Sequence, residues 1–467
     1  MQDISRIKIS AFLVMMLALL LTGFRCTRGV SEEVTKANRP VTLKWWRVFD
    51  DEVSVRPIIE SYKALHPNVT IQYRKLRFDE YEQELINALA EDRGPDILSV
   101  HNTWVQGYEG KLAPLPATVT LPFQEIVGSL KKEVVVTLKT LPTISPRALK
   151  EQFVDVVAQD VIRTSKDDKG QPREQIYGLP LALDTLVLYA NRDLLNLAQI
   201  PEVPKTWTEM QSAVRKLTKL NSDGTIVQSG AALGTSRNVE RATDIVALLM
   251  MQNNAQMLDI SGQAAFHKTP PSLERTGIAP GEQAIVFYTD FAKPQQDVYT
   301  WSEQEPNSLE AFLSGRTAMF LGYSYHLPLI RARASRINLA VSKAPQIEGN
   351  PEVNFANYWV EGVSKKSSNQ HFAWDFIQFA ASAKNVGSYL TATGRPTALR
   401  SLIASQLEKE YTSVFASEIL TAKSWYRGNN AKGAESALSD AIDSILAGGE
   451  PRDILNITAQ RVNQTLR

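Results

Sequence analysis

The chain has 467 residues, 43% of them apolar and 22% charged, with a formal net charge of +1 and a single cysteine. That length exceeds what one hydrophobic core usually supports, so two domains, or one divided by a cleft, are expected. The balanced charge leaves no footprint for nucleic acid or an acidic polymer, and one cysteine cannot close an internal disulfide.

At the N-terminus Arg6 and Lys8 precede the apolar run Ile9–Phe24, which matches the positive and apolar regions of an export signal. The mature protein is therefore expected to work outside the cytoplasm. The run is short for a spanning helix, which needs roughly 20 residues, but suits an export signal or a marginal anchor. Cys26 stands where a bacterial lipoprotein carries its lipidated cysteine, yet Arg25 places a bulky cation where a small residue belongs. Lipidation and an uncleaved anchor stand level, with simple secretion third. The polar stretch Thr27–Pro40 reads as a flexible tether.

Val41–Val48 reads as a strand and Ser54–Leu65 as a helix with Val55, Ile58, Ile59, Tyr62 and Leu65 on one face. Val69–Leu76 is the next strand. Tyr81, Leu85, Ala88 and Leu89 recur at helical spacing before Gly94-Pro95, and Asp96–Val100 follows as a strand. Alternation of this kind builds a parallel sheet. After the proline-rich Pro114–Pro122, less regular helices are expected up to Ile162.

In Ile176–Leu195, one acid, Asp184, interrupts a nearly apolar run. Tyr177-Gly178-Leu179-Pro180 reads as a turn and Leu181–Ala190 as a strand. A buried carboxylate is costly without a partner or water, so Asp184 is expected to face a cleft; an acid at a solvent-facing strand edge is the alternative. Further on, Thr206-Trp207-Thr208-Glu209 is a capping box that starts a helix to about Leu220. Helices are expected at Val239–Leu258, Glu282–Phe291 and Ser308–Ser314, a strand at Thr317–Leu321, then helices at Phe372–Ala381, Ala434–Leu446 and Pro451–Leu466.

Six of these pieces, in order, carry a resemblance: VTLKWW at Val41–Trp46, the Tyr81–Ile97 segment, IYGLPLALDTLVLYANRDLL, PKTWTEM at Pro204–Met210, AFLSGRTAMFLGYSY at Ala311–Tyr325, and a tail with HFAWDFIQF, TGRPTA and the terminal helices. The chain resembles the family 1 extracellular solute-binding proteins, the group that includes the maltose-binding protein and serves ATP-driven importers. The resemblance implies an α/β fold of the two-lobed, type II periplasmic-binding kind, its lobes joined by hinge crossings. Lobe one would hold 41–182 and 307–344, and lobe two 183–306 and 345–467. It departs from the smaller members in the extended segment Pro116–Ser165.

A sugar presents hydroxyls and weakly apolar C–H faces, so its site needs aromatic plates with carboxylates, amides or guanidinium groups. The resemblance places ligand contacts at Trp46, with core packing and Trp45 as rivals, and at Asp184, Tyr323, Tyr325, Trp359 and Arg395. For Tyr323 and Tyr325 interlobe packing is the rival; for Arg395 it is capping of a helix. Asn102 and Trp104 follow the strand Asp96–Val100, and ligands gather at the carboxyl ends of strands in α/β sheets. His101 reads as a hydrogen-bonded structural histidine, and Trp425 and Tyr426 as lining or packing. No metal, cofactor or catalytic residue is expected, since no nucleophile elbow, zinc motif or phosphate loop occurs.

The implied function is capture of a small solute, a sugar or oligosaccharide foremost, by an extracytoplasmic monomer. Its expected partners are ABC permease subunits and, through the N-terminal anchor, the membrane; nucleic acid is not among them. A ligand-sensing surface receptor, an adhesin, or a glycoside-acting enzyme are the alternatives.

Overall fold

The computed structural model describes residues 32–128, 133–166, 170–270 and 277–467. The expected signal or anchor, with Cys26 and the first residues of the tether, lies outside the described residues. Glu32–Ala37, within that tether, is a short helix with no buried side chain. Among the described residues no helix is long and apolar enough to cross a membrane. The described residues partition into two compact units, one within Met1–Pro40 and Thr120–Lys139 and the other within Val41–Val119 and Thr140–Arg467.

Most of a two-stranded hairpin, Thr118–Val127 paired with Glu133–Pro142, falls in the smaller unit. Helices are the expectation there, and strands are what form. The physical reason is composition: Val134-Val135-Val136-Thr137 is a run of β-branched residues, whose stiff side chains disfavour helix and suit a pleated strand. Beyond the hairpin the expected helices do occur, at Pro146–Gln152 and Asp155–Val161. The first is capped by Ser145, whose hydroxyl accepts from the Ala148 N–H at 3.2 Å.

In the larger unit, Val41–Val48 lies between Val69–Leu76 and Ile97–His101, parallel to both. The helices between these strands bury one stripe each, Val55, Ile58 and Tyr62 in Glu52–Leu65 and Tyr81, Leu85, Ala88 and Leu89 in Phe78–Ala90. Trp359–Ser364 then joins the sheet antiparallel to Ile97–His101, with Leu112–Ala113 and Leu179–Pro180 as its other neighbours. A second sheet is antiparallel throughout: Val187–Asn191 pairs with Met319–Gly322 on one side and Leu339–Lys343 on the other. Its central strand is buried along its whole length, as its continuous apolar sequence requires.

Between these sheets lie three short strands, Asp184–Thr185, Asn354–Asn357 and Ala422–Lys423. Asp184 is paired with Asn357. One segment therefore passes from Asp184 into the second sheet at Val187, and another from Asn357 into the first sheet at Trp359. The expected lobe division runs across these pairings: Met319–Gly322, within 307–344, pairs with Val187–Asn191, within 183–306, and Trp359–Ser364, within 345–467, pairs with Ile97–His101, within 41–182. Motif order along the chain carries no information about which sheet a late strand completes.

Local signals are realised as read. Thr206 and Glu209 close their capping box at 3.2 and 3.3 Å, starting the helix Trp207–Leu217. Asn307 caps Ser308–Leu313, and Gly315, at φ 73°, turns the chain after it. The tail forms the helices Gln370–Ala381, Ala431–Leu446 and Pro451–Thr465.

Candidate ligand-binding site

The first strand alternates its faces. Trp45 is fully buried and donates its indole N–H to Glu361 at 2.7 Å, while Trp46 points the other way, under the Arg74 guanidinium at 4.7 Å. Trp46 is thus a packing residue, and the expectation that it lines the site is corrected by the period-two alternation. Arg47 continues toward the cleft. The strand ends at Val48, and Phe49 adopts a left-handed conformation, φ 69°, which turns its ring onto that of Phe78.

Arg47 is buried among acids. Its Nε lies 2.9 Å from Glu361 Oε1 and its Nη2 3.3 Å from Asp50 Oδ2. Tyr389 links the two residues, accepting from Arg47 at 3.2 Å and donating to Asp50 at 3.0 Å. Arg395 reaches Asp50 Oδ1 at 2.9 Å. It is held there because the helix Ala383–Thr393 ends on Gly394 in the left-handed region, φ 66°, a common helix stop. Arg47 Nη1 is buried with no hydrogen-bond partner among the described residues.

Asp184 sits at the strand crossing. It accepts from the Ser324 N–H at 3.0 Å, the Ser324 hydroxyl at 2.6 Å and the Thr185 N–H at 3.0 Å. Burial nevertheless pushes its carboxyl up to about 6, against the pull of Ser324 and Arg395. Tyr323 is fully buried and donates to Asp244 at 2.6 Å, so it supports the site from behind rather than lining it. Tyr325, two residues on at the start of His326–Arg333, stacks in front of it with centroids 5.7 Å apart.

Asn102 also lies behind the wall. Its amide donates to Asp160 at 3.1 Å and Ser424 at 3.2 Å, because the 3-10 turn Asn102–Trp104 directs Asn102 inward and leaves Trp104 at the cavity. Asp160 takes Tyr358 as well, at 2.8 Å, and burial raises its carboxyl. His101 bonds Thr103 at 2.8 Å and Asn357 at 3.1 Å, and burial holds its imidazole down at about 4, hence neutral. It is structural, as expected, and it also lines the cavity.

The far end is built by helices. Arg241, left-handed at φ 57° just before Ala242–Gln252, forks onto Asp244 with both bonds at 2.8 Å and reaches Glu435 at 3.3 Å. Lys432, one turn before Glu435 on Ala431–Leu446, pairs with Glu82 at 2.5 Å.

These groups enclose a cavity of about 330 Å³. Trp359 lines it and meets Phe49, Phe78, His101 and Trp104 edge to face at 5.3 to 6.3 Å. Of the expected site residues, Trp104, Asp184, Tyr325, Trp359 and Arg395 come together on this cavity. Trp46, Asn102 and Tyr323 do not. Trp425 and Tyr426 are buried, the latter donating to the Thr465 carbonyl at 2.8 Å.

Several lining residues escaped the sequence reading. Phe49 directly follows the carboxyl end of one strand and Phe78 lies two residues beyond that of the next, the rule that picked out Trp104, so a signal existed for both. Arg241, Lys432 and Glu435 come from helices remote in sequence, with no motif to mark them. Flat apolar rings beside buried guanidinium and carboxylate groups suit a molecule with apolar faces and a polar rim. Among the described residues no group of three or more metal-ligating side chains occurs.

Residues 57–416 match the family model described as bacterial extracellular solute-binding protein. The galactooligosaccharide-binding protein of Bacillus subtilis (strain 168) is 23% identical over 257 residues, 54% of this chain and 56% of that relative's length. The sugar-binding protein MalE of Xanthomonas citri superposes with a TM-score of 0.68 at 16% identity, over 91% of this chain and 97% of that one. UgpB of Mycobacterium tuberculosis, solved with glycerophosphocholine, gives 0.67 at 15% identity, over 91% and 98%. At these identities the likeness shows the two-lobed α/β fold.

Proposed function

This chain belongs to the bacterial extracellular solute-binding proteins, and we propose that within that family it captures a saccharide between two lobes and delivers it to an ABC-type importer. The observation that carries the reading is the cavity at the strand crossing, where Trp359, Trp104, Phe49 and Tyr325 supply aromatic rings while Arg47, Arg395 and Asp184 supply polar groups. The names of two similar proteins, one galactooligosaccharide-binding and one sugar-binding, support the same class.

In this reading the first lobe is built on the sheet of Val41–Val48 and Trp359–Ser364 and the second on that of Val187–Asn191. The hinge runs through the Asp184 and Asn357 crossings. A ligand with higher affinity for the closed arrangement shifts the population toward it, and the closed form docks on a permease. The protein works as a monomer held at the outer face of the membrane, by a lipid on Cys26 or by an uncleaved anchor. We read Asp184 and Glu435 as binding groups rather than a catalytic pair, because Ser324 and Thr185 already occupy both oxygens of Asp184.

The test is thermal denaturation of the full-length chain alone and with mono- and oligosaccharides, polyamines, glycerophosphodiesters and short peptides. A rise in melting temperature confined to saccharides supports the reading. A rise with glycerophosphocholine or a peptide instead, the sugars remaining silent, replaces the substrate class.

A further inference from the structure

The charges around the cavity bear on what the bound saccharide carries. Four cations line it: Arg47, Arg241, Arg395 and Lys432. Each is already engaged, Arg47 by Glu361 and Asp50, Arg395 by Asp50, Arg241 by Asp244 and Glu435, and Lys432 by Glu82. Counted with the acids that hold them, the four cations and Asp184 make a network of six carboxylates, an excess of two; Asp184 and Glu435 line the cavity, while Asp50, Glu361, Asp244 and Glu82 do not. His101 adds no positive charge, being neutral.

The excess has a place. Arg241 gives its close two-bond fork to Asp244 and only a 3.3 Å contact to Glu435, so Glu435 is the weaker partner of a shared cation. Burial raises the carboxyls of both Asp184 and Glu435, against the pull of Arg395 on the first and Arg241 on the second. The rings of Trp359 and Trp104 line the same space, and aromatic faces attract cations.

We propose that the ligand carries a protonated amine: an amino sugar, or a short saccharide containing one, with its ammonium toward Glu435 and the aromatic rings and its hydroxyl oxygens toward Arg47 and Arg395. The inference rests on the saccharide reading. Arg47 Nη1, buried and without a partner among the described residues, has an acceptor in a sugar hydroxyl. A neutral sugar leaves both excess charges uncompensated, and an acidic one adds to them.

Calorimetric titration of the full-length chain tests this with a disaccharide of glucosamine, its N-acetylated form, cellobiose, digalacturonate and spermidine. The glucosamine disaccharide is expected to bind about ten-fold tighter than its N-acetylated form, since a charge-assisted hydrogen bond in a partly dry site has that size. Glu435→Gln is expected to shrink that ratio. Equal or tighter binding of the acetylated, neutral or acidic disaccharide overturns the amine while leaving saccharide capture standing. Binding of spermidine with silence from every disaccharide overturns both.

Discussion

Phe49 and Tyr325 stack in parallel, their centroids 6.4 Å apart and their planes 4° from one another. One follows the strand Val41–Val48 of the first sheet and the other the strand Met319–Gly322 of the second. Phe78 behind Phe49 and Tyr323 behind Tyr325 extend the pair into a ladder of four rings that crosses the cleft. Both central rings keep substantial exposure, 48% for Phe49 and 38% for Tyr325, so a ligand can reach them.

Phe49→Ala is expected to weaken ligand binding by about 1–2 kcal/mol through loss of an apolar ring at the cavity. Because Phe49 is left-handed, Phe49→Gly is expected to lose the same affinity yet melt higher than Phe49→Ala, by about 1 kcal/mol of stability. Calorimetric titration and urea denaturation of the two variants check this; equal stability of the pair removes the strain argument.

Tyr323→Phe separates support from contact. The hydroxyl meets Asp244 inside the wall, so its removal is expected to cost about 1–3 kcal/mol of stability. Ligand affinity is expected to stay within about two-fold, since the ring that stacks behind Tyr325 remains. A large affinity loss at unchanged stability places Tyr323 in the cavity after all.

Glu361 is held by Trp45, Ser99 and Arg47, at 2.7, 2.8 and 2.9 Å respectively. Glu361→Ala is expected to destabilise the protein by about 3–5 kcal/mol, because Arg47 is left buried with less compensation. A lower urea midpoint at constant slope is the expected result.

Stability is expected to fall from pH 6.5 to pH 8. Burial raises Glu418 from 4.5 to about 8, where its Oε2 accepts from the Ala344 N–H and the Asn354 amide. Over most of that window the folded state keeps a proton that the unfolded state has released, so stability falls by about 1.4 kcal/mol per pH unit at first and by less near pH 8, about 1.6 kcal/mol in all. Asp184 and Asp375, both near 6, complete their titrations largely below it, while His101, lowered from 6.5 to about 4, offsets the fall by about 0.4 kcal/mol as the unfolded chain loses that proton. Urea denaturation at the two pH values measures the drop, and Glu418→Gln is expected to flatten it.

Much of the fold is legible in the residues themselves. Hydrophobic periodicity, the Thr206–Glu209 capping box and the Asn307 cap are local, and they recur in the structure within a few residues of where they are read. The hairpin after Val119 is the exception, although its β-branched run was there to be seen. In the site, Asp184 announces itself because a lone acid in an apolar strand needs a reason. Trp104 and Trp359 stand where chain direction and motif point.

What the sequence by itself determined is therefore the set of elements, their approximate limits, the family and the kind of chemistry the cleft offers. Which sheet takes Trp359–Ser364 and which takes Met319–Gly322 was decided only by tertiary pairing, since a strand's partner is chosen by complementarity over hundreds of residues. The same holds for the faces of Trp46, Asn102 and Tyr323, where alternation or a single turn sets whether a side chain meets ligand or core. Arg241 and Glu435 reach the cavity only because helices far apart in the chain pack together there, and the balance of charge that a ligand meets exists in no one segment.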